Sequence, residues 1–337
     1  MYFPRKNNLE LLRLIFALQV VISHTASYFT TEIKLPDFIQ NFPGVPAFFF
    51  VSGFLIYSSY INSPGIVYFK NRFLRIFPGL LVTFGGSIVI LYDQGFSSLV
   101  DNYYIFIIWF FSQITLGQAY NPDLFRSVGI GIINGSLWTI TTEIIFYLII
   151  PFVVKMENRF RFLIIALIIF SFLLYSIGPL VLDIVVYRNK SIFDLIALTP
   201  LVWGWMFGLG IVAVKYFTQI SKFLKYTPIC FMPLILMIYQ GDGFLFQPSG
   251  NRLGFIYFLC YAALILWLAF WLPVISLSFD ISYGTYIWHA PIINLLFILN
   301  FPNVSMAILL TIFIATLSWF LVEKPMLKLK HQSLRQV

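Results

Sequence analysis

The sequence predicts an all-α polytopic membrane protein with about ten transmembrane helices plus one re-entrant or interfacial segment. Three observations carry that class. Of the 337 residues, 60% are hydrophobic and only 10% charged, against roughly 25% charged in soluble domains. The mean hydropathy is +0.90. The apolar residues also fall into runs of spanning length, with basic residues at the run edges, a pattern that sets membrane orientation. The 39 Phe, 19 Tyr and 8 Trp suit lipid contact and interfacial belts. Collagenous, disordered and disulfide-scaffold classes are excluded. Cys230 and Cys260 sit in apolar runs and read as small buried hydrophobes. The net charge of +8 does not point to nucleic acid, because no aromatic–basic groove accompanies it.

A spanning helix needs about 20 mostly apolar residues. The candidates are 9–29, 43–61, 74–92, 104–117, 136–154, 161–180, 195–214, 227–240, 255–277, 281–299 and 304–322. The fourth and eighth are short. The first is too long for a cleavable signal peptide and carries Glu10 and Arg13 in its opening turns. No repeat or long polar stretch interrupts the chain, so residues 1–337 read as a single integral membrane domain. Arg5 and Lys6 place the N-terminus in the cytoplasm, and Lys70, Arg72 and Arg75 place the second connection there. Glu32, Lys34 and Asp37, then Asp93 and Asp101, suit the outside. Eleven crossings would put three basic groups outside: Lys155, Arg159 and Arg161; Lys215, Lys222 and Lys225; and Lys324, Lys328, Lys330 and Arg335. Removing one crossing between 93 and 155 brings all three inside. The weakest run there is 104–117, which holds Ser112, Gln113 and Thr115. It is therefore the re-entrant or interfacial segment, and both termini are cytoplasmic.

A charge at the bilayer centre costs about 2.5–3.5 kcal/mol on insertion scales, so each one needs a partner or a purpose. Arg13, His24 and Glu143 stand out. Arg13 and His24 are eleven residues apart, close to three helical turns and about 16 Å, so both project from one stripe. Arg13 alone reads as an inner-surface anchor and His24 alone as a helix–helix hydrogen bond. Their shared face points instead to a common task. Glu143 lies with Thr139 and Tyr147 at i, i+4 spacing, a polar stripe facing the bundle interior. A packing pair with an arginine is its bland reading; the functional one is a carboxylate that orients or charges His24, or acts as base itself. Ser282, Tyr286 and His289 form a further polar stripe, read first as packing or interfacial anchoring. Arg72 and Arg75 are either positive-inside anchors or a multidentate phosphate site. Ser52 and Gly53 read as a close helix–helix approach or a break in the second span.

At these residues the chain resembles the membrane-bound acyltransferase family 3, which acylates bacterial surface carbohydrates. Arg13–x10–His24 resembles the Arg–x10–His signature of the family's first span, and VPAFFFVSGFLIY (45–57) its F-F-x-x-S-G-F-L element. RFLRIFP (72–78) resembles its R-x-x-R element, and NGSLWTITTEIIFYLIIP (134–151) its N-G-[SP]-L-W-x(4)-E element. ISYGTYIWHAPI (281–292) and VEKP (322–325) resemble the late elements. The six occur in the family's order from residue 9 to 325. The resemblance implies a cytoplasmic acyl donor, usually acetyl-CoA, and an acceptor hydroxyl on a surface glycan or its lipid-linked precursor. It implies catalytic roles for His24, Glu143 and Arg13, and a donor-binding role for Arg72 and Arg75. Trp138, Ser282, Tyr286 and His289 are the expected substrate-binding set, and no metal is expected. Some relatives carry a C-terminal hydrolase-like domain; the end of this chain soon after VEKP implies the stand-alone O-antigen or exopolysaccharide type. Thr141 and Thr142 depart from the family pattern before Glu143 and leave the acceptor open.

Acyl-CoA carries phosphates at one end and a thioester at the other, so its site needs cations at the inner surface and chemistry deeper in. Arg72, Arg75 and Arg13 meet the first need and His24 the second. His24 is expected either to take the proton of a sugar hydroxyl as it attacks the thioester or to carry the acyl group itself. The alternative class is a transporter or flippase using Arg13, His24 and Glu143 as a relay, against which stands the absence of a repeat between the halves. The expected setting is a cell inner membrane, with the lipid bilayer and the glycan as partners, no nucleic acid, and dimerisation left open.

Overall fold

The computed structural model describes residues 3–29, 37–92, 102–185, 196, 198–248 and 250–332. Glu32, Lys34, Asp93, Asp101 and Arg335, which entered the charge argument, lie outside them. In hydrocarbon every backbone N–H and C=O must be satisfied within the chain, and a helix does this locally. Accordingly the described residues form helices and no strand. The longer ones are α1 (Leu9–Tyr28), α2 (Gly44–Asn62), α3 (Ile66–Tyr92), α4 (Tyr103–Gln113), α5 (Trp138–Glu157) and α6 (Leu163–Val185). Then come α7 (Pro200–Lys215), α8 (Phe231–Gln240), α9 (Phe255–Phe270), α10 (Ser282–Ile298), α11 (Val304–Ser318) and α12 (Lys324–Gln332). Among these residues five helical stretches are long and apolar enough to cross a membrane: Leu9–Tyr28, Ile39–Asn62, Ile66–Leu91, Gly135–Glu157 and Val304–Lys330. Shorter apolar helices accompany them at Tyr103–Gln113, Leu163–Ser176, Pro200–Lys215 and Phe255–Phe270. Large apolar side chains face outward, such as Val89 at 73% and Phe152 at 69% exposure, which fits a lipid-facing surface. The polytopic all-α class stands. α4, with 11 residues, is about 16 Å long, half the thickness of a hydrocarbon core.

The chain divides into two compact units, and two of the divisions fall inside α1 and α5. The first comprises Met1–Phe16, Leu35–Pro64 and Ile145–Ser278. Its centre is the packing of α7 on α2 and α6. A Cβ on Gly53 would collide with the Phe207 carbonyl, and one on Gly210 with the Phe50 carbonyl, so only glycine lets these backbones approach. The SGF element is thus a close helix–helix contact. Phe146 stacks on Phe207 at 3.9 Å between ring centroids, and Trp205 is wholly buried. At one end of this unit Glu157 accepts a hydrogen bond from the Tyr57 hydroxyl at 2.8 Å and pairs with Lys215. α7 starts where Pro200 occupies the first helical turn and the Thr199 hydroxyl accepts from Leu201 N, a capping arrangement legible in the sequence.

The second unit comprises Ala17–Lys34, Gly65–Ile144 and Phe279–Val337. α10 is its axis, buried along most of its length and packed on α3 and α11. Gly284 brings α10 against Ala315, and Gly86 accommodates the Trp288 ring. Phe84, Leu91, Trp109, Phe125 and Ile133 form an apolar cluster that joins α3, α4 and the segment leading to α5.

Candidate functional site

His24 lies in the last turns of α1 and His289 in the middle of α10, both within the second unit. Their rings are 5.1 Å apart, and His24 Nδ1 is 2.9 Å from His289 Nε2. His289 Nδ1 is in turn 2.6 Å from the carbonyl oxygen of Tyr286, one turn earlier on α10. His289 has no exposed surface, whereas His24 is half-buried. Two imidazoles 265 residues apart in sequence therefore share a hydrogen bond, with the inner ring anchored to backbone and the outer ring half-buried.

The first turn of α5 is tied to the same helix. Pro291 sits inside α10 and has no N–H to give the Ile287 carbonyl four residues before it. Asn134 Nδ2 donates to that carbonyl at 2.9 Å, while Ser136 Oγ donates to Asn134 Oδ1 at 2.6 Å. The Thr139 hydroxyl meets the Tyr286 hydroxyl at 2.7 Å. Glu143 follows Thr139 by one turn on α5, is half-buried, and is an electrostatic neighbour of the Tyr286 phenol. Before α5, residues 128–134 between two 3-10 turns, Asp123–Ser127 and Gly135–Leu137, are non-helical, and side-chain amides satisfy their backbone. Asn294 accepts from Ile130 N at 3.0 Å and donates to the Ile132 and Ile133 carbonyls at 2.9 and 3.1 Å. Asn121 donates to Gly131 O and accepts from Ile133 N. Irregular backbone at membrane depth requires such partners. Gly129 and Gly131 adopt φ of +56° and +82°, and a Cβ on Gly129 would strike the Asn294 amide.

Beside this segment a polar cavity with about 20 Å³ of free volume is lined by Thr83, Ser87, Gln113, Gln118 and Asn134, with Trp109. Thr83 Oγ1 and Gln118 Nε2 are buried there without a hydrogen-bond partner in the structure.

At the start of α10, Asp280 joins two of the residues singled out in the sequence, Arg75 and Ser282. Arg75 Nη2 donates to Asp280 Oδ2 at 2.5 Å, and the pair is only 15% and 10% exposed. Ser282 donates to Asp280 Oδ1 from both its hydroxyl, at 2.5 Å, and its backbone N–H, at 3.2 Å. Asp280 therefore accepts the first N–H of α10 and neutralises Arg75 at once. Arg72 lies 5.9 Å from the ring centre of Tyr68, one turn away on α3. Tyr283 donates to Ile76 O at 2.8 Å, and Glu323, in a π turn between α11 and α12, accepts from Ser318 Oγ at 3.1 Å and packs against Gly79. The VEKP element thus lies on the helix that carries Arg72 and Arg75.

Of the expected residues, the second unit brings together His24, His289 and Tyr286 on one side, and Arg75 and Ser282 on another. Arg13 is half-buried on the part of α1 that belongs to the first unit, and α1 is unbroken between it and His24. Trp138 is half-buried at the first residue of α5. Asp280 escaped the sequence reading, although Asp–x–Ser before a helical run is a capping signal. The His24–His289 contact has no local signal. Among the described residues no group of three or more His, Cys, Asp or Glu side chains is placed to hold a metal ion.

The chain matches the family model described as an acyltransferase domain over residues 6–323. It is 27% identical to nodulation protein 10 of Rhizobium leguminosarum bv. viciae, with 96% of this chain and 94% of that protein covered. It is 25% identical to an O-acetyl transferase of Shigella phage Sf6, with 95% and 96% covered. No solved structure matches.

Proposed function

The chain belongs to the acyltransferase family whose domain it carries over residues 6–323, and on that premise we propose that it moves an acetyl group from cytoplasmic acetyl-CoA to a hydroxyl of a surface polysaccharide or its lipid-linked precursor. Membership in this family makes it an O-acyltransferase; donor, acceptor and residue roles are the proposal. The transporter reading has no support in the comparisons. The observation that carries the mechanism is the half-buried His24 ring held by hydrogen bond to the wholly buried His289. An imidazole with one nitrogen anchored and the other facing a reactant has the geometry of a general base.

The proposed step balances as follows. The acceptor hydroxyl gives its proton to His24 as its oxygen bonds to the thioester carbonyl carbon. The carbon–sulfur bond breaks, and the departing thiolate takes the proton from His24, leaving one ester and one free thiol. Such a base contributes about 10²–10⁴-fold. Glu143, near Tyr286, offsets the positive charge that His24 acquires. Arg72 and Arg75 hold donor phosphates, a guanidinium having enough N–H groups to keep Asp280 and a phosphate oxygen together. Arg13 adds charge on the same stripe of α1. Trp138 offers a ring face to the sugar, and Ser282, Tyr286 and His289 support the wall of the site through the contacts described above.

We place the chain in a cell inner membrane with ten crossings and cytoplasmic termini. The brevity of α4 supports one crossing fewer than the eleven apolar runs. The Lys215–Glu157 pair keeps the basic connections after α5 and α7 at one end of the first unit, as either count requires. The test is the surface polysaccharide of cells lacking the gene and complemented with wild type or His24→Ala. The reading expects an intact glycan without O-acetyl esters in the knockout and in the variant. Loss of the glycan itself would favour transport, and wild-type esters in the variant would end the catalytic reading.

A further inference from the structure

We propose that His289 is a positioning residue that fixes neutral His24 in one tautomer, proton on Nδ1 and lone pair on Nε2, so that Nε2 is the atom that takes the acceptor's proton. The inference rests on the reading of His24 as base and adds what sets its orientation and which nitrogen works.

The Tyr286 carbonyl only accepts, so His289 Nδ1, 2.6 Å from it, carries a hydrogen. Neutral His289 then has a bare Nε2, which can only accept. His24 Nδ1, 2.9 Å from that Nε2, must therefore be the donor. This leaves the lone pair of His24 on Nε2. The reverse chain of protons would set a bare His289 Nδ1 against a carbonyl oxygen, two acceptors in contact. A doubly protonated His289 would place a full charge on a ring with no exposed surface. One proton arrangement satisfies every atom.

The same arrangement serves the moment of reaction. When Nε2 takes a proton, His24 becomes an imidazolium whose Nδ1–H already points at a neutral acceptor, and the hydrogen bond strengthens as charge appears. A base oriented through its second nitrogen by a third group is the logic of hydrolytic triads, where a carboxylate plays that part. Here an uncharged ring does, without burying another anion. Because His289 occupies His24 Nδ1, Glu143 does not orient the ring through that atom. The backbone also supports the device: His289 is held by the carbonyl of Tyr286, whose hydroxyl is fixed in turn against Thr139 at the start of α5.

The test compares His289→Leu with His289→Gln in full-length protein reconstituted in lipid nanodiscs, with acetyl-CoA as donor and membrane insertion confirmed by monodispersity. Gln retains an oxygen able to accept from His24 Nδ1 and an N–H₂ able to reach Tyr286 O; Leu retains the volume alone. The expectation is a fall in kcat of about 10²–10³-fold for Leu with donor KM unchanged, and recovery to within about tenfold of wild type for Gln. Histidine nitrogen-15 spectra of the wild type should show a bare Nε2 on His24. Wild-type kcat in His289→Leu, equal loss in Leu and Gln with both folded, or a protonated Nε2 in neutral His24 would each overturn the proposal. If His24→Ala is inactive while His289→Leu is normal, only the positioning role fails; if His24→Ala is active, the reading of His24 as base fails with it.

Discussion

Asn134 offers the sharpest structural test of how the site is assembled, because its partner exists only by reason of a proline. The Ile287 carbonyl lacks its helical donor since residue 291 is proline, and the Asn134 amide takes that place at 2.9 Å. Asn134→Ala would remove the donor that the buried Ile287 carbonyl has in place of the missing helical N–H, at a cost of about 1–3 kcal/mol. The substitution also removes the Ser136–Asn134 hydrogen bond, so the single variant does not isolate the effect. Pro291→Ala does, because alanine restores an N–H that the Ile287 carbonyl can accept within α10. In that background Asn134→Ala should cost only what the Ser136 contact is worth. The account therefore expects a coupling of about 1–2 kcal/mol between the two sites, read from detergent-driven unfolding of the four proteins of the cycle. Equal losses in both backgrounds, with coupling within about 0.3 kcal/mol, would refute the claim that the asparagine replaces the missing donor.

Three further outcomes follow from other contacts. Asp280→Ala strips Arg75 of its carboxylate and Ser282 of its acceptor and should lower stability by about 3–5 kcal/mol in the same unfolding assay; a change under about 0.5 kcal/mol would show that the pair is not a structural element. Gly210→Ala drives a methyl group into the Phe50 carbonyl and should cost about 2 kcal/mol or more, whereas Gly85→Ala, with open space around it, should be neutral or stabilising by up to about 1 kcal/mol. Glu143→Gln keeps shape and removes charge, so the variant should insert normally yet lose most of its turnover; full activity would remove Glu143 from the chemistry.

Much of the architecture is visible in the sequence because lipid permits few solutions. An apolar run of adequate length becomes a helix, and the runs at 9–29, 43–61 and 136–154 correspond closely to α1, α2 and α5. Where run and helix diverge, polar or proline residues explain it. α3 begins at Ile66, not near 74, because Lys70 and Arg72 interrupt hydropathy without disturbing a helical backbone. The run at 255–277 yields a helix that stops at Phe270, shortly before Pro273. The run at 227–240 opens as a 3-10 turn, Leu224–Cys230, around Pro228 before α8 begins. The site is less legible. Arg13, His24 and Glu143 announce themselves as ionisable groups in apolar surroundings, and periodicity places Thr139 and Tyr286 on polar stripes. The contacts His24–His289 and Thr139–Tyr286, by contrast, join residues 265 and 147 positions apart, and no local pattern encodes them. The roles of Asn121, Asn134 and Asn294 become apparent only once the carbonyls they serve can be located.

The account stands or falls on His24 as the base of an acyl transfer. The direct measurement is the turnover of labelled acetyl groups from acetyl-CoA into glycan ester by purified wild type and His24→Ala in nanodiscs, at matched protein and lipid. The account predicts a loss in kcat of at least about a hundredfold for the variant. Ester formation at the wild-type rate would contradict it.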